Sequence, residues 1–397
     1  MKKKLLSALL CVAMVASLVG GCGGKEETAE APAATEESAG EEATGATFKI
    51  GGIGPSTGGA AIYGQAVKNA AEIAVAEINE AGGINGYPVE FIWGDDEHDA
   101  EKSVNAYNSL KDQGMQMLLG TVTSTPCIAV ADEAAADNMF LLTPSGSAVD
   151  CVANDNAFRV CFSDPNQGAA SAQYIGENGL ATKVAVIYDS SDVYSSGIYE
   201  TFAAEATNQP FEIVAAEAFT ADNISVFSVQ VQKAKDAGAD LVFLPIYYQE
   251  VALILNEASK QAYAPVFFGC DGVDGLLSVE GFDTALAEGV MLLTPFVADE
   301  DNEATQNFVA KYEEQFGGVP NQFAADAYDG MYAIKAAAEK AGLTPDMSIS
   351  DMCEAMKVAM TEISIDGLTG DITWSADGEP TKDPKAMVIK DGAYTAM

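Results

Sequence analysis

The chain has a single histidine, His98, in 397 residues. It stands beside Asp95, Asp96 and Asp99, so no Ser/His/Asp set and no histidine metal cluster can be built around it. P-loop runs are missing, Gly54-Pro55-Ser56-Thr57-Gly58 spells G-x-S-x-G but has no Ser/His/Asp partner set, and the glycines after the first apolar segment do not spell G-x-G-x-x-G. Hydrolase, nucleotide and dinucleotide chemistry therefore find no support, no cofactor is expected, and the chain does not read as an enzyme. Basic residues are scarce as well. Twenty Lys and Arg face 59 Asp and Glu, a formal charge of −39, which argues against a nucleic-acid partner and gives no long-range attraction to anions. A cargo for such a surface is neutral or zwitterionic. Cysteines number seven, none in a C-x-x-C pair, so zinc spacing is absent.

What is present begins with a targeting segment. Lys2 to Lys4 precede a fifteen-residue apolar run, residues 5–19, short for a membrane span but suited to an export signal. It ends in Leu18-Val19-Gly20-Gly21-Cys22, which resembles a bacterial lipobox. The resemblance implies cleavage before Cys22 and lipid on its sulfur, with the protein outside the cytoplasm, held to the membrane at its N-terminus. Residues 23–46 carry seven Glu among Ala, Thr, Gly, Ser and Pro, with no apolar face to bury, and read as an acidic disordered tether. Setting these segments aside, with charges of +3 and −6, leaves −36 on residues 47–397. Five cysteines remain there, an odd number that argues against a full disulfide framework. Cys151 and Cys161 are close enough to pair across a short loop.

From residue 47 onward apolar strands alternate with amphipathic helices. Strands are expected at 48–53, 89–93, 117–119, 139–143 and 158–162, and again at 184–188, 212–219, 241–244, 266–268 and 290–293. Between them lie helices such as 61–81, 166–178 and 225–237. Strands this uniformly apolar indicate parallel sheets buried on both faces, and the repeat indicates two doubly wound α/β lobes. A helix-rich tail, with helices near 305–316, 323–341 and 351–360 and strands near 371–374 and 386–389, is better used to complete those sheets than to build a third domain.

Open parallel sheets bind ligands beyond the carboxyl ends of their strands, and the chemically pointed residues fall there. Leu118-Leu119-Gly120-Thr121-Val122-Thr123-Ser124-Thr125-Pro126 runs from a strand into hydroxyls, with a helix expected from Pro126. Leu141-Leu142-Thr143-Pro144-Ser145-Gly146-Ser147 has the same form. Such turns are anion sites, although Ser and Thr at helix starts ordinarily serve as caps. Tyr194, Tyr247 and Asp271 follow strands of the second lobe.

These residues, with Gly54-Pro55-Ser56-Thr57-Gly58, Tyr63-Gly64, Ile78-Asn79-Glu80-Ala81-Gly82-Gly83-Ile84-Asn85-Gly86, Asp95-Asp96, Thr143-Pro144-Ser145, Phe158-Arg159 and Asp164, resemble the substrate-binding proteins of branched-chain amino-acid transporters. These are the leucine/isoleucine/valine type within the type I periplasmic-binding fold. The resemblance covers residue 47 to about 390. It implies a Venus-flytrap of two lobes, 47–165 with about 294–380 and 166–293 with about 381–397, joined by a three-segment hinge. It implies a monomer that delivers a small zwitterion to an ABC transporter permease. Ser124, Ser147 and backbone groups at Ser145 would take the ligand carboxylate. Asp271 would pair with its ammonium group, Tyr194 and Tyr247 would close over it, and Tyr63 and Phe323 would touch its side chain. His98 and Thr123 stand where better-known members carry a disulfide, and Asp271 where a glutamate is frequent. A sensor, or a binder of urea, an amide, a short peptide or an aromatic acid on the same scaffold, are the alternative readings.

Overall fold

The computed structural model describes residues 45–223 and 226–397. The export signal, Cys22 and all of the tether but Gly45 and Ala46 lie outside the described residues, as does Ser225, the expected start of one helix.

The first sheet is built from β1 (Phe48–Gly54), β2 (Val89–Asp95), β3 (Met117–Gly120), β4 (Leu141–Thr143) and β5 (Ala157–Arg159). They lie in the order β2-β1-β3-β4-β5 and are parallel throughout. The connecting helices are α1 (Ala61–Glu80), α2 (Ala100–Asp112) and α3 (Ser124–Asp137). Successive strand residues point to opposite faces. Leu119 and Leu142 accordingly pack into one core, while Leu118 and Leu141 pack into another with Tyr107 and Val130. Both faces are covered, which is why Leu118-Leu119 and Leu141-Leu142 are apolar at successive positions.

After α4 (Asp164–Glu177) the same plan recurs with β6 (Lys183–Asp189), α5 (Val193–Ala206), β7 (Glu212–Phe219), α6 (Ser228–Asp236), β8 (Leu241–Leu244), α7 (Tyr248–Lys260), β9 (Val266–Gly269) and β10 (Met291–Thr294). The order β7-β6-β8-β9-β10 repeats that of the first sheet strand for strand. Each sheet therefore has a point where chain order reverses, between β1 and β3 and between β6 and β8. The crevice beyond the carboxyl ends of the strands there is where such sheets hold ligands.

The tail contributes α8 (Glu303–Phe316), α9 (Gln322–Lys340), α10 (Ile349–Met360), β11 (Ser364–Gly367), β12 (Gly370–Thr373), β13 (Lys385–Lys390) and β14 (Ala393–Ala396). Helix α9 packs against α1, β3 and β4, and Trp374 donates its indole N–H to the Arg159 carbonyl at 2.7 Å. The chain then returns to the second sheet, where β13 and β14 add antiparallel to β10. It thus passes between the sheets three times. A buried Lys382–Asp326 ion pair fixes the third passage to α9.

Two strands exceed the expectation. β11 pairs with β12, and β14 closes a hairpin on β13 through Asp391-Gly392, both at positive φ, the geometry of a two-residue type I′ turn. The antiparallel edge is thus a product of turn chemistry. All five cysteines of the folded part are free thiols. Cys151 does not reach Cys161, because the 3-10 turn Val149–Val152 aims it at α3 instead, beside Cys127.

Candidate functional site

The hydroxyl turn after β3 differs from expectation in one respect. Helix α3 starts at Ser124, with Thr123 in the N-cap position, two residues before Pro126. Proline is tolerated there because N–H groups of a first turn have no partner within the helix. Thr123 does not cap the helix with its side chain. Its hydroxyl is bonded to Nδ1 of His98 at 2.8 Å. The ordinary use of threonine as a cap is thus not what this residue does, and the helix start keeps its donors and its positive dipole end. Ser124 Oγ accepts the N–H groups of Ser147 and Ala148 at 3.2 and 3.1 Å. It also lies 3.5 Å from Ser147 Oγ, within hydrogen-bond distance.

The second turn is rigid for a reason that sequence did not supply. Arg159 is fully buried, and its guanidinium donates to the carbonyls of Gly146, Ser147, Ala148 and Val149. With those carbonyls turned toward Arg159, the N–H groups of Ser147 and Ala148 point at Ser124. Ser145 spends its hydroxyl on the Val122 carbonyl at 2.6 Å, tying the two turns together. Only a 3-10 turn follows this strand, so one helix start serves both turns.

On the opposite side, Asp271 follows β9 and is buried. Its Oδ1 accepts the Tyr194 hydroxyl at 2.6 Å, and its N–H donates to Oε1 of Gln167 at 3.2 Å. Burial pushes the Asp271 carboxyl up to about 6, against the pull of Tyr194, Gln167, the Gly272 N–H and Gln322. Asp164 lies close enough to raise the cost of a second charge, and burial raises its carboxyl well above the usual range. Burial also lifts Asp192 to about 6, with Asp189 adding to the effect. This side of the site is rich in carboxylates, with only Arg159 acting on Asp164 as a compensating cation among the causes of their shifts, an environment that favours an incoming positive group. The rings of Tyr194 and Tyr247 stack over it, 4.9 Å apart and 15° from parallel.

Tyr63 joins the two sides. Its hydroxyl donates to the Gly272 carbonyl at 2.5 Å and accepts the Tyr248 N–H at 3.3 Å. Its ring packs on Phe323, Tyr248 and Tyr247 with centroids 4.2, 5.0 and 5.6 Å away. Gly272 is required because a Cβ there would lie 2.7 Å from the Tyr194 hydroxyl and 2.8 Å from the Ile246 carbonyl. All eight residues singled out in the sequence, Tyr63, Ser124, Ser145, Ser147, Tyr194, Tyr247, Asp271 and Phe323, line one cavity together with Val122, Thr123 and Gly272. That cavity measures about 10 Å³, room for about one water molecule. An amino acid enters only if Tyr63 parts from Gly272.

Four contributors escaped sequence reasoning. His98 presents its ring edge-on to Tyr247, centroids 5.5 Å apart, a place its acidic neighbours gave no sign of. Gly272, Gln167 and the clamp function of Arg159 carry no local signal. Among the described residues no His, Cys, Asp or Glu group is arranged to hold a metal ion, and no helix is long and apolar enough to cross a membrane.

Comparison with known proteins agrees with this geometry. The periplasmic binding protein family matches residues 47–393. A Leu/Ile/Val-binding protein homolog 3 of Brucella melitensis biotype 1 is 30% identical over 345 residues, 84% of this chain and 89% of its own. Among solved structures, a leucine binding protein, LivK, of Thermotoga maritima superposes with a TM-score of 0.78 at 26% identity, covering 88% of this chain and 98% of that one. The branched-chain amino-acid transporter substrate-binding protein LivJ of Streptococcus pneumoniae, solved with isoleucine, gives 0.80 at 26% identity with the same coverage. With two sheets of matched topology, a cleft at their strand ends and a family match over nearly all of the folded chain, the protein belongs to the periplasmic binding protein family.

Proposed function

We propose that the protein captures a branched-chain amino acid, leucine, isoleucine or valine, between its lobes and delivers it to the permease of an ABC transporter. The observation that carries this reading is the polarity of the cavity. One wall offers the Ser124 and Ser147 hydroxyls at an uncapped helix start, and the facing wall offers the Asp271 carboxylate. A buried zwitterion needs donors at one end and a carboxylate at the other, because unpaired charge in a closed site is costly. Tyr194 and Tyr247 close over the ligand, and Tyr63 and Phe323 meet its aliphatic body. Ser145 contributes backbone only, its hydroxyl being engaged with Val122. At roughly −1 kcal/mol per heavy atom, a ligand of about nine atoms reaches about −9 kcal/mol, micromolar or tighter.

The lobes, 47–165 with about 294–380 and 166–293 with about 381–397, close by hinge motion at the three passages. The protein acts as a monomer and without turnover of its ligand. It works outside the cytoplasm, tethered by lipid on Cys22 through the acidic segment 23–46.

A second reading, an amide- or urea-like ligand, draws on Gln167 and Gln322. Both lie beside Asp271, yet Gln167 Nε2 and Gln322 Oε1 are buried without a close partner. A ligand with an added donor and acceptor would satisfy them. A thermal-shift panel of the twenty amino acids, urea and small amides decides between the readings. Leucine, isoleucine or valine is expected to raise the melting temperature, and a panel in which only urea or amides do so selects the second. Cys22→Ala is expected to move the protein from the membrane to the soluble fraction; a variant that stays on the membrane rules out the lipid anchor.

A further inference from the structure

Behind the Ser124 turn lie two cysteines that the binding site does not use. Cys127 sits in the first turn of α3, its N–H bonded to the Thr123 carbonyl at 3.0 Å. Cys151 sits in the 3-10 turn Val149–Val152, its thiol 3.7 Å from the Ser124 carbonyl. Both are fully buried and share one small apolar cluster with Ala148. Each thiol is a direct interaction partner of the other. Cys161, Cys270 and Cys353 belong to other parts of the fold. Two sulfurs brought together from segments about 25 residues apart, with no room around Cys127 even for a Cβ on Gly146 at 2.8 Å, are placed as the halves of a cross-link.

We propose that Cys127 and Cys151 form an intramolecular disulfide once the chain meets an oxidising compartment, clipping the first turn of α3 to the turn that follows Ser147. The bridge would hold together the two segments whose contact, Ser124 Oγ with the N–H groups of Ser147 and Ala148, shapes the donor wall of the cavity. The native pair is sealed from solvent, so oxidation belongs to folding, before burial. The oxidant is an external disulfide, that of a thiol oxidoreductase or of a small thiol. One of the two thiolates attacks one of its sulfurs and expels the first thiolate. The other cysteine, losing its proton, then attacks the sulfur of the mixed disulfide that belongs to the protein and expels the second. Two protons and two electrons leave the protein, and the external disulfide becomes two thiols.

The test is refolding of the full chain in glutathione buffers poised oxidising or reducing, followed by acid quench, alkylation and non-reducing peptide mapping. The expected product of the oxidising buffer is one Cys127–Cys151 linked peptide, with Cys161, Cys270 and Cys353 alkylated. Its melting temperature should exceed that of the reduced protein by roughly 5 °C, as expected for closing a loop of this length in a chain of this size. Cys161→Ser should keep both the linked peptide and the shift; Cys127→Ser and Cys151→Ser should each abolish both. Full alkylation of Cys127 and Cys151 after oxidising refolding, a bridge to any other cysteine in the wild type, or an oxidised form that melts lower than the reduced one overturns the proposal. Because the readout is a covalent bond, it stands or falls independently of the ligand.

Discussion

Asp271→Asn replaces the proposed ammonium partner by a group of the same shape, and the structure gives its two consequences opposite signs. Without ligand, Asp271 is buried among Asp164, Tyr194 and Gln167, and burial lifts its carboxyl from the ordinary 3.8 to about 6. At about 1.4 kcal/mol per pH unit, holding it ionised at pH 7 destabilises the ligand-free closed protein by roughly 3 kcal/mol. Asparagine removes that strain, and its oxygen can still accept the Tyr194 hydroxyl. A chain of about 350 folded residues has an unfolding entropy near 0.7 kcal/mol/K, so the variant should melt about 4 °C higher. With ligand, the proposed ammonium group loses its carboxylate partner Asp271. A buried charge left unpaired costs about 3–5 kcal/mol, roughly a 150- to 5,000-fold loss of affinity. Scanning calorimetry gives the first number and titration calorimetry with leucine the second. A residue that merely supports the fold would lower the melting temperature and leave affinity nearly intact. An affinity loss under tenfold, or a fall in melting temperature, removes Asp271 from the site.

Affinity for a zwitterion should depend on pH through the same group. Below about 6 the ligand must displace a proton from Asp271, so affinity should fall about tenfold per pH unit from pH 6 toward pH 4, with one proton released per ligand bound; calorimetry in buffers of different ionisation enthalpy that shows no proton release refutes this. Stability of the ligand-free protein runs the other way: the contribution of a raised carboxyl is complete below 3.8 and lost as pH rises through about 6, which thermal melts between pH 4 and 7 resolve. Tyr63→Phe deletes the bond to the Gly272 carbonyl, which on the proposed reading holds the cleft shut. Removing about 1 kcal/mol from the closed form should raise the open population, and with it the association rate in stopped-flow fluorescence, by roughly fivefold; an unchanged or slower association shows that Tyr63 does not govern opening.

The architecture was legible because its signals are local. Apolar runs such as Val184 to Ile187, broken by helices ending in glycine, specify a parallel sheet from composition and period alone. Strand ends locate a ligand cleft by topology, so Ser124, Tyr247 and Asp271 could be named before their contacts were seen. What stayed hidden depends on residues distant in sequence. Arg159 reaches back to carbonyls of residues 146–149, and no periodicity marks a side chain that serves a loop behind it. His98 is the clearest failure. Three neighbouring aspartates gave no sign of a place in the site, whereas its positive φ of 62° and its bond to Thr123 turn the ring inward toward Tyr247. The β13–β14 hairpin, by contrast, was announced by Asp391-Gly392 and overlooked, its flanking strands being too short to show alternation.

Two copies of one topology do not by themselves make a selective site; the division of charge between them does. The first sheet faces the cleft with an uncapped helix start and hydroxyls, the second with Asp271 and its neighbouring acids. A ligand carrying only a carboxylate engages the first lobe and leaves the second with its strained acids, gaining nothing from closure. On the proposed reading, a ligand carrying only a cation relieves Asp271 but leaves the helix dipole unanswered. Only a molecule with both groups, spaced to span the gap, has a differential interaction with the closed form at both ends, and a ligand shifts a conformational equilibrium by no more than that difference. On that proposed reading, closure is the step at which zwitterions are selected, and the Tyr63–Gly272 bond adds to the threshold that a ligand's two ends must together exceed.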